Sequence, residues 1–358
     1  MTDDHRNYSL KPTASPPIRS VELSHQPPVP GIGHRIGLIG CGGISESHLQ
    51  AYRKAGFAVV AFSDLDRDKA SARRDQFYPD AIVYDDYQSL LDQADVDVVD
   101  VATPADPRPP IIEAALHSGR HVLSQKPFVT DLTVGRRLVD LADRCGCRLA
   151  VNQNGRWAPH LASMRQAVKD GLLGDVVSVR VDIGWDHNWI AGTPFDEMRH
   201  VILQDFAIHW FDFLASVIPG VAESVVARVV RSPGQLAKPP LVASTVLSYP
   251  QTQAVLTFDG DCQRGAEDRT FIRGTAGTLC SVGPSLTEQT LTVHTRDGWF
   301  RPTLIGDWFS EGFIGTMAEL LCAIEQDRQP LNNARDNLRG LAMCFAAAAS
   351  ADRTDVAS

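Results

Sequence analysis

The stretch RIGLIGCGGISESHLQAYRKA, residues 35–55, decides how the rest of the chain is read. RIGLIG is a short apolar run closed by glycine, and from Ser45 to Ala55 the residues suit a helix. Between them lies Gly40-Cys41-Gly42-Gly43-Ile44-Ser45. Glycines at 40 and 42 permit a tight turn and let a pyrophosphate approach the backbone at a helix N-terminus. The third position of that fingerprint is Ser45, small enough for close helix–strand packing. A glycine pattern alone is a weak signal; here it follows a strand and opens a helix, as dinucleotide binding requires. FAVVAFSD (57–64) follows as a second strand ending in Asp64. A carboxylate there accepts both hydroxyls of an adenine ribose and repels a 2′-phosphate, so NAD is favoured over NADP. Arg67, three residues on, is the one group nearby suited to a phosphate.

The alternation continues outward. Asp66 to Gln76 reads as a helix, AIVY (81–84) as a third strand, and VDVVDVATP (96–104) as a fourth, ending in Thr103-Pro104. Ile111 to Ser118 is helical, RHVLSQKP (120–127) is a strand, Leu132 to Cys145 a helix and RLAVNQN (148–154) a sixth strand. Strands and helices joined by short connections predict a parallel sheet covered on both faces, with ligands outside the carboxyl ends of its strands. This domain is expected to span 34–154. Beyond it a helix over 159–170 precedes long alternating segments at 175–185, 223–231, 241–249, 252–260, 269–274 and 277–282, and two helices at 312–326 and 333–349 close the chain. The fold class is therefore α/β: a doubly wound parallel sheet followed by an α+β domain, 155–358, with a large, mostly antiparallel sheet.

At 358 residues, 44% hydrophobic and 22% charged, the chain has material for two sizeable cores. Its net charge of −9 supplies no basic excess for nucleic acid or anionic membranes. No apolar run approaches a membrane span. The seven cysteines are an odd, scattered set that suits a reducing cytoplasm, and Cys145-Gly146-Cys147 reads as a turn, so no metal site is expected. Residues 1–33 are rich in proline and serine, carry no secretory signal, and read as a flexible arm.

HVILQDFAIHWFDFLASV (200–217) is apolar nearly all round when drawn as a helix, which places it inside the protein. Asp205, His209 and Asp212 nevertheless share one face, and buried carboxylates and imidazoles are costly unless they pair or meet a ligand. Either they satisfy each other in the core, or an acid/base pair is aimed into a cleft. Lys126 ends the fifth strand before Pro127; lysine at a strand end is ordinarily a solvated charge.

These segments together resemble the Gfo/Idh/MocA oxidoreductases over residues 34–350. The resemblance rests on IGLIGCGGIS followed by HL, on DVVDVATP, HVLSQKPF, NGRWAP, GLLGDVVSVRV and DFAIHWFD, and on the closing EGFIGTMAELLCAIEQDRQPL. It implies a nicotinamide cofactor held by Gly40, Gly42, Gly43, Ile44, Asp64 and Arg67, with Thr103 and Pro104 lying along it. Arg156 and Trp157 match an Arg-aromatic step at the domain junction and, with Gln125, are expected to contact the cofactor. Lys126 matches the lysine of a Glu-Lys-Pro motif beside the reacting carbon, and Asp205 and His209 match an Asp-x-x-x-His pair. His187 and Asn188, in GWDHNW, match a substrate-contacting region more loosely. Two departures stand out: the motif glutamate is Gln125, and the Asn-x-x-His that follows Thr-Pro is Ala105-Asp106-Pro107-Arg108. Relatives pair through the open face of the second sheet, which implies a homodimer or homotetramer.

The expected chemistry is oxidation of a hydroxyl on a sugar, sugar derivative or cyclitol. His209 takes the proton, Asp205 orients it or binds a substrate hydroxyl, and Lys126 stabilises the alkoxide. Trp157, Trp185 and Trp189 suit either stacking on a sugar or simple core packing. Alternatives are an aldose 1-dehydrogenase giving a lactone, an NAD-dependent glycosidase, and a non-catalytic dinucleotide-binding sensor.

Overall fold

The computed structural model describes residues 16–354. The first domain is built from β1 (Arg35–Ile39), α1 (Ser45–Ala55), β2 (Ala58–Ser63), α2 (Arg67–Phe77), β3 (Ile82–Tyr84), α3 (Tyr87–Gln93), β4 (Val98–Val101), α4 (Arg108–His117), β5 (His121–Gln125), α5 (Leu132–Cys145) and β6 (Leu149–Asn152). Its six strands are parallel in the order β3-β2-β1-β4-β5-β6. Central β4 and edge strand β6 are both buried along their whole length, as cover on both faces requires. Local chemistry sets the helix ends. The carboxylates of Asp66, Asp86 and Asp131 accept from the first-turn N–H groups of α2, α3 and α5. Left-handed Gly56 and Gly146 close α1 and α5, so Cys145-Gly146-Cys147 is a helix terminus.

The second domain carries α6 (Pro159–Lys169), β7 (Val176–Gly184), α7 (Ile208–Val217), β8 (Ser224–Val230), β9 (Val242–Ser248), β10 (Gln253–Asp259), β11 (Glu267–Gly274), β12 (Gly277–Gly283), β13 (Thr290–Thr295) and β14 (Trp299–Phe300), then α8 (Trp308–Glu325) and α9 (Ala334–Thr354). The sheet order is β14-β13-β12-β11-β7-β10-β9-β8, antiparallel except for the β7–β10 pair. Residues opposite one another across a sheet share a face, so register defines its two sides. The row Ala227, Thr245, Leu256, Val181, Thr270, Ser281 and Leu291 is buried throughout. The neighbouring row Val226, Val246, Val255, Arg180, Phe271 and Cys280 faces outward. Helices cover the first face, and no described segment covers the second.

Several expectations need correction. Helix α3 and strands β13 and β14 were not read from the sequence: α3 is a short piece, and 290–300 alternates between exposed and buried positions with turn residues between. The expected flexible arm is laid down on the protein from Pro16 onward, although residues 1–15 lie outside the described residues. Pro17 bridges to Trp299, Leu23 is buried, and Gly31 and Ile32 donate to the Glu325 carboxylate. Apolar Leu23 and a waiting carboxylate outweigh the low hydrophobicity of the stretch. The segment read as a single helix over 200–217 is broken by a π-helical turn, Ile202–Phe206, before α7 begins.

Asp268 on β11 is fully buried among the inner-face rows, and neither carboxylate oxygen has a partner. Burial alone pushes its carboxyl up to about 7. The folded state therefore holds the proton more tightly than the unfolded chain, and stability is lost as pH rises from about 4 to about 7. Asp268→Asn should be more stable than the parent at pH 8 by on the order of 1–3 kcal/mol, the advantage shrinking toward pH 4. Denaturant midpoints across that range measure it, and equal midpoints at pH 8 would show that Asp268 is satisfied in solution.

Candidate active site

The carboxyl edge of the first sheet gathers Gly40 after β1, Asp64 after β2, Thr103 after β4 and Lys126 after β5. The strand order reverses between β1 and β4, which opens a crevice there. Gly40 has φ +96°, and a Cβ on it would stand 2.8 Å from the Thr103 nitrogen, so only glycine fits. Gly42 and Gly43 have open space where side chains would be. Among the described residues nothing accepts from the N–H groups of Gly42, Gly43 and Ile44. Free N–H donors at the uncapped start of α1, beneath open space, fit a dinucleotide pyrophosphate. Ser45 Oγ donates to the Gly42 carbonyl at 2.6 Å and shapes the turn. Asp64 already accepts from Cys41 N–H at 2.6 Å and from Asp66 N–H at 2.9 Å, which fixes its carboxylate beside the turn. Arg67 is ion-paired with Asp85, so its charge is engaged away from a ribose phosphate. Thr103 Oγ1 is buried without a partner, and Pro104 is exposed beside it.

Lys126 Nζ reaches across to the second domain, donating to Asp205 Oδ1 at 2.7 Å and to the Asp205 carbonyl at 2.9 Å. The π turn interrupts the i→i+4 ladder at this point, with Ala207 N–H reaching back to Ile202 O, a device that recurs at functional sites. His209 follows at the start of α7. Burial, and secondarily the Lys126 cation, hold its imidazole well below its usual pKa, so it is neutral at pH 7. Its Nδ1 is enclosed and unpartnered, which leaves Nε2 as the accessible nitrogen. Trp308 stands edge-on to it, ring centroids 5.4 Å apart. His187 packs 4.2 Å from the Phe206 ring; burial lowers its pKa, and the Asp205 charge opposes that shift.

Other residues expected at the site are occupied elsewhere. Arg156 makes a bidentate pair with Asp212, 2.7 and 2.9 Å, and also donates to the Leu331 carbonyl. Desolvation and the Asp212 charge act oppositely on that buried guanidinium, and its pKa ends up raised. Asp212, on α7 below His209, is thereby a structural anchor. Trp157 fills the notch at Gly315 of α8, where a Cβ would stand 2.1 Å from the ring. Asn188 spends its amide on Asp186 and Asp261 and its oxygen on the N–H groups of Leu236 and Ala237, which organises a loop. Trp185 is wedged among Phe206 and Trp210, whereas Trp189 is 61% exposed.

Behind Lys126 lies a buried network of which the sequence reading named only Gln125. Gln125 Oε1 accepts from Lys126 N–H at 2.6 Å, and its Nε2 is 2.9 Å from His48 Nε2. Asn152 Nδ2 reaches the same nitrogen at 3.0 Å, so Nε2 serves as the acceptor and the Nδ1 proton faces Asp100 Oδ2, 2.7 Å away. Tyr52 donates to that Asp100 oxygen at 2.7 Å. Beside the network, Arg108 donates to the carbonyls of Thr103, Gln125 and Pro127. The sequence held one signal for this cluster: Asp100 interrupts an otherwise apolar central strand, and a carboxylate there must have partners.

Comparison with known proteins agrees with the two-domain fold. Residues 34–153 match the oxidoreductase family with an NAD-binding Rossmann fold, and residues 161–280 match the GFO/IDH/MocA C-terminal domain. The chain is 28% identical over 334 residues to the D-apiose dehydrogenase of Paraburkholderia graminis, covering 88% of this chain and 86% of that protein. It is 25% identical over 327 residues to the inositol 2-dehydrogenase of Rhizobium meliloti, covering 88% and 96%. An oxidoreductase from Agrobacterium radiobacter, crystallised with NAD+, L-tartaric acid and magnesium, has the same fold: TM-score 0.80 at 23% identity, covering 90% of this chain and 97% of that one. With the glycine turn, the strand order and both domains in agreement, the chain is a member of the Gfo/Idh/MocA family of NAD-binding oxidoreductases that act on hydroxyl groups.

Proposed function

We propose that the protein is an NAD-dependent dehydrogenase oxidising a hydroxyl of a sugar, sugar derivative or cyclitol, with His209 as base and Lys126 stabilising the alkoxide. The observation that carries this reading is the meeting of Lys126 with Asp205 one turn before a neutral His209, at the carboxyl edge of β5. When bound, NAD accepts the hydride; proton and charge fall to the chain's own residues. An imidazole that is neutral at pH 7 can take a hydroxyl proton on Nε2. An ammonium has three N–H groups, and Asp205 uses two through its carboxylate and carbonyl, which leaves one for the substrate oxygen. Asp205 also keeps that ammonium in place. His187, beside Phe206, supports a substrate-contacting role; the spent donors of Asn188 support one less well. The relatives named D-apiose and inositol 2-dehydrogenase support a polyol substrate. The seven free thiols support a reducing compartment such as the cytoplasm.

Absorbance of NADH over a panel containing D-apiose, myo-inositol and common aldoses tests the reading. Tight NAD binding with no turnover on any member would favour a binding-only role. Lys126→Met and His209→Ala should each lower kcat by about 10²–10⁴-fold while leaving the NAD dissociation constant within about threefold. Because burial depresses His209, kcat should stay flat from pH 8 down to 6.5 and fall only below that. An acid limb centred above 6.5 would assign the proton to another group.

Asp64→Ala should narrow the preference for NAD over NADP by about tenfold or more in kcat/KM. An unchanged ratio would remove Asp64 from the ribose. The uncovered sheet face, with Val226 54% and Val246 37% exposed, supports self-association as a dimer or tetramer. Light scattering should give a mass of two or four chains, and a monomer at micromolar concentration would exclude it.

A further inference from the structure

Arg108 opens α4 and is 1% exposed, yet among the described residues no carboxylate lies in ion-pair contact with it. A buried cation is costly unless its donors are matched. Here both Nη groups are matched by backbone carbonyls, and only Nε is buried without a partner. Nη1 donates to the carbonyls of Gln125 and Pro127, on either side of Lys126, and Nη2 donates to the carbonyl of Thr103. These acceptors belong to the loop after β4 and to the end of β5 with the turn that follows it, which together line the crevice. The planar fork of a guanidinium can hold two such loops at a fixed spacing, whereas the compact ammonium of lysine cannot. The Lys126 backbone has one further tether, the Gln125 side chain on its N–H.

We infer that Arg108 is a positioning residue for Lys126: it locks the Gln125–Pro127 turn to the Thr103 turn so that Nζ arrives at Asp205 and the reacting oxygen. Arg108 touches neither Asp205 nor His209 and acts only through the backbone it grips. The inference rests on the role proposed for Lys126, so its test includes a readout independent of turnover. A purely structural arginine would lower melting temperature when replaced but leave the folded enzyme's kcat and the environment of Lys126 unchanged.

The test uses the full chain with Arg108→Lys, which keeps the charge and loses the fork, and Arg108→Met, which loses both. Three quantities are measured: kcat on the substrate found by the panel, the NADH dissociation constant by fluorescence, and acetylation of Lys126 mapped by mass spectrometry. Both variants should lose about 10–100-fold in kcat with NADH affinity within about threefold, the signature of a displaced group. Lys126 should be labelled several-fold faster as its hold on Asp205 loosens, while exposed Lys69 and Lys238 keep their rates. Folded Arg108→Lys with parental kcat, or with parental Lys126 labelling, would overturn the inference. If the parent oxidises nothing in the panel, the dehydrogenase reading fails and labelling alone decides this one. If Arg108→Met does not fold, Arg108→Lys decides.

Discussion

The contact on which the rest depends is the ion pair between Lys126 at the end of β5 and Asp205 in the π turn. It is 2.7 Å long, with side chains 18% and 26% exposed, and its partners come from different domains. Much of the remaining architecture serves to bring those two atoms together. The parallel sheet delivers Lys126 to its carboxyl edge beside the glycine turn, so the cofactor cradle and the ammonium share one crevice. The second sheet supports the other partner. Phe258, on its buried face, packs against Phe206 within the Asp205–His209 segment and Trp210 just after it. Neither domain by itself contains both partners of the pair.

Besides Arg108, which is held by carbonyls, polar groups buried near this contact are of two electrical kinds. At the domain junction the charges are paired: Arg156 with Asp212, and Glu319 with Arg328 and the Leu331 N–H. Breaking either pair would strand a charge in the interior, so this chemistry ties the 154–157 turn, α7, α8 and the α8–α9 connection together. Behind Lys126 the side-chain network is instead uncharged from Asn152 and Gln125 to the accepting nitrogen of His48, and ends on the Asp100 carboxylate. Gln125 suits this setting. Its amide donates to a nitrogen that must accept, while its oxygen takes Lys126 N–H, and a carboxylate at that position has no proton to donate.

The site residues divide by what places them. Gly40, Gly42, Gly43, Asp64 and Lys126 reach the crevice through the backbone course or strand end on which they sit, and that is visible in a strand–turn–helix pattern. Arg156, Trp157 and Asn188 depend on what stands opposite them. Only the folded chain shows that Asp212, Gly315 and the 236–237 backbone already claim those side chains. The π turn is a third case. An apolar segment with polar residues four apart reads as one regular helix, and the extra residue in the turn is a packing outcome with no mark in local composition.

The sequence by itself determined the alternation of short apolar runs with helices, the glycine turn after the first strand and the long alternating segments of the second half. Those follow from side-chain periodicity and from glycine's freedom at positive φ, both local properties of the chain. Tertiary structure alone decided that the 16–33 segment lies along the second domain, that Asp268 is buried without a partner, and that Arg108 grips three carbonyls around Lys126. Each of these concerns groups far apart in sequence, where the outcome is set by whichever partner the fold places within hydrogen-bond reach or beyond it.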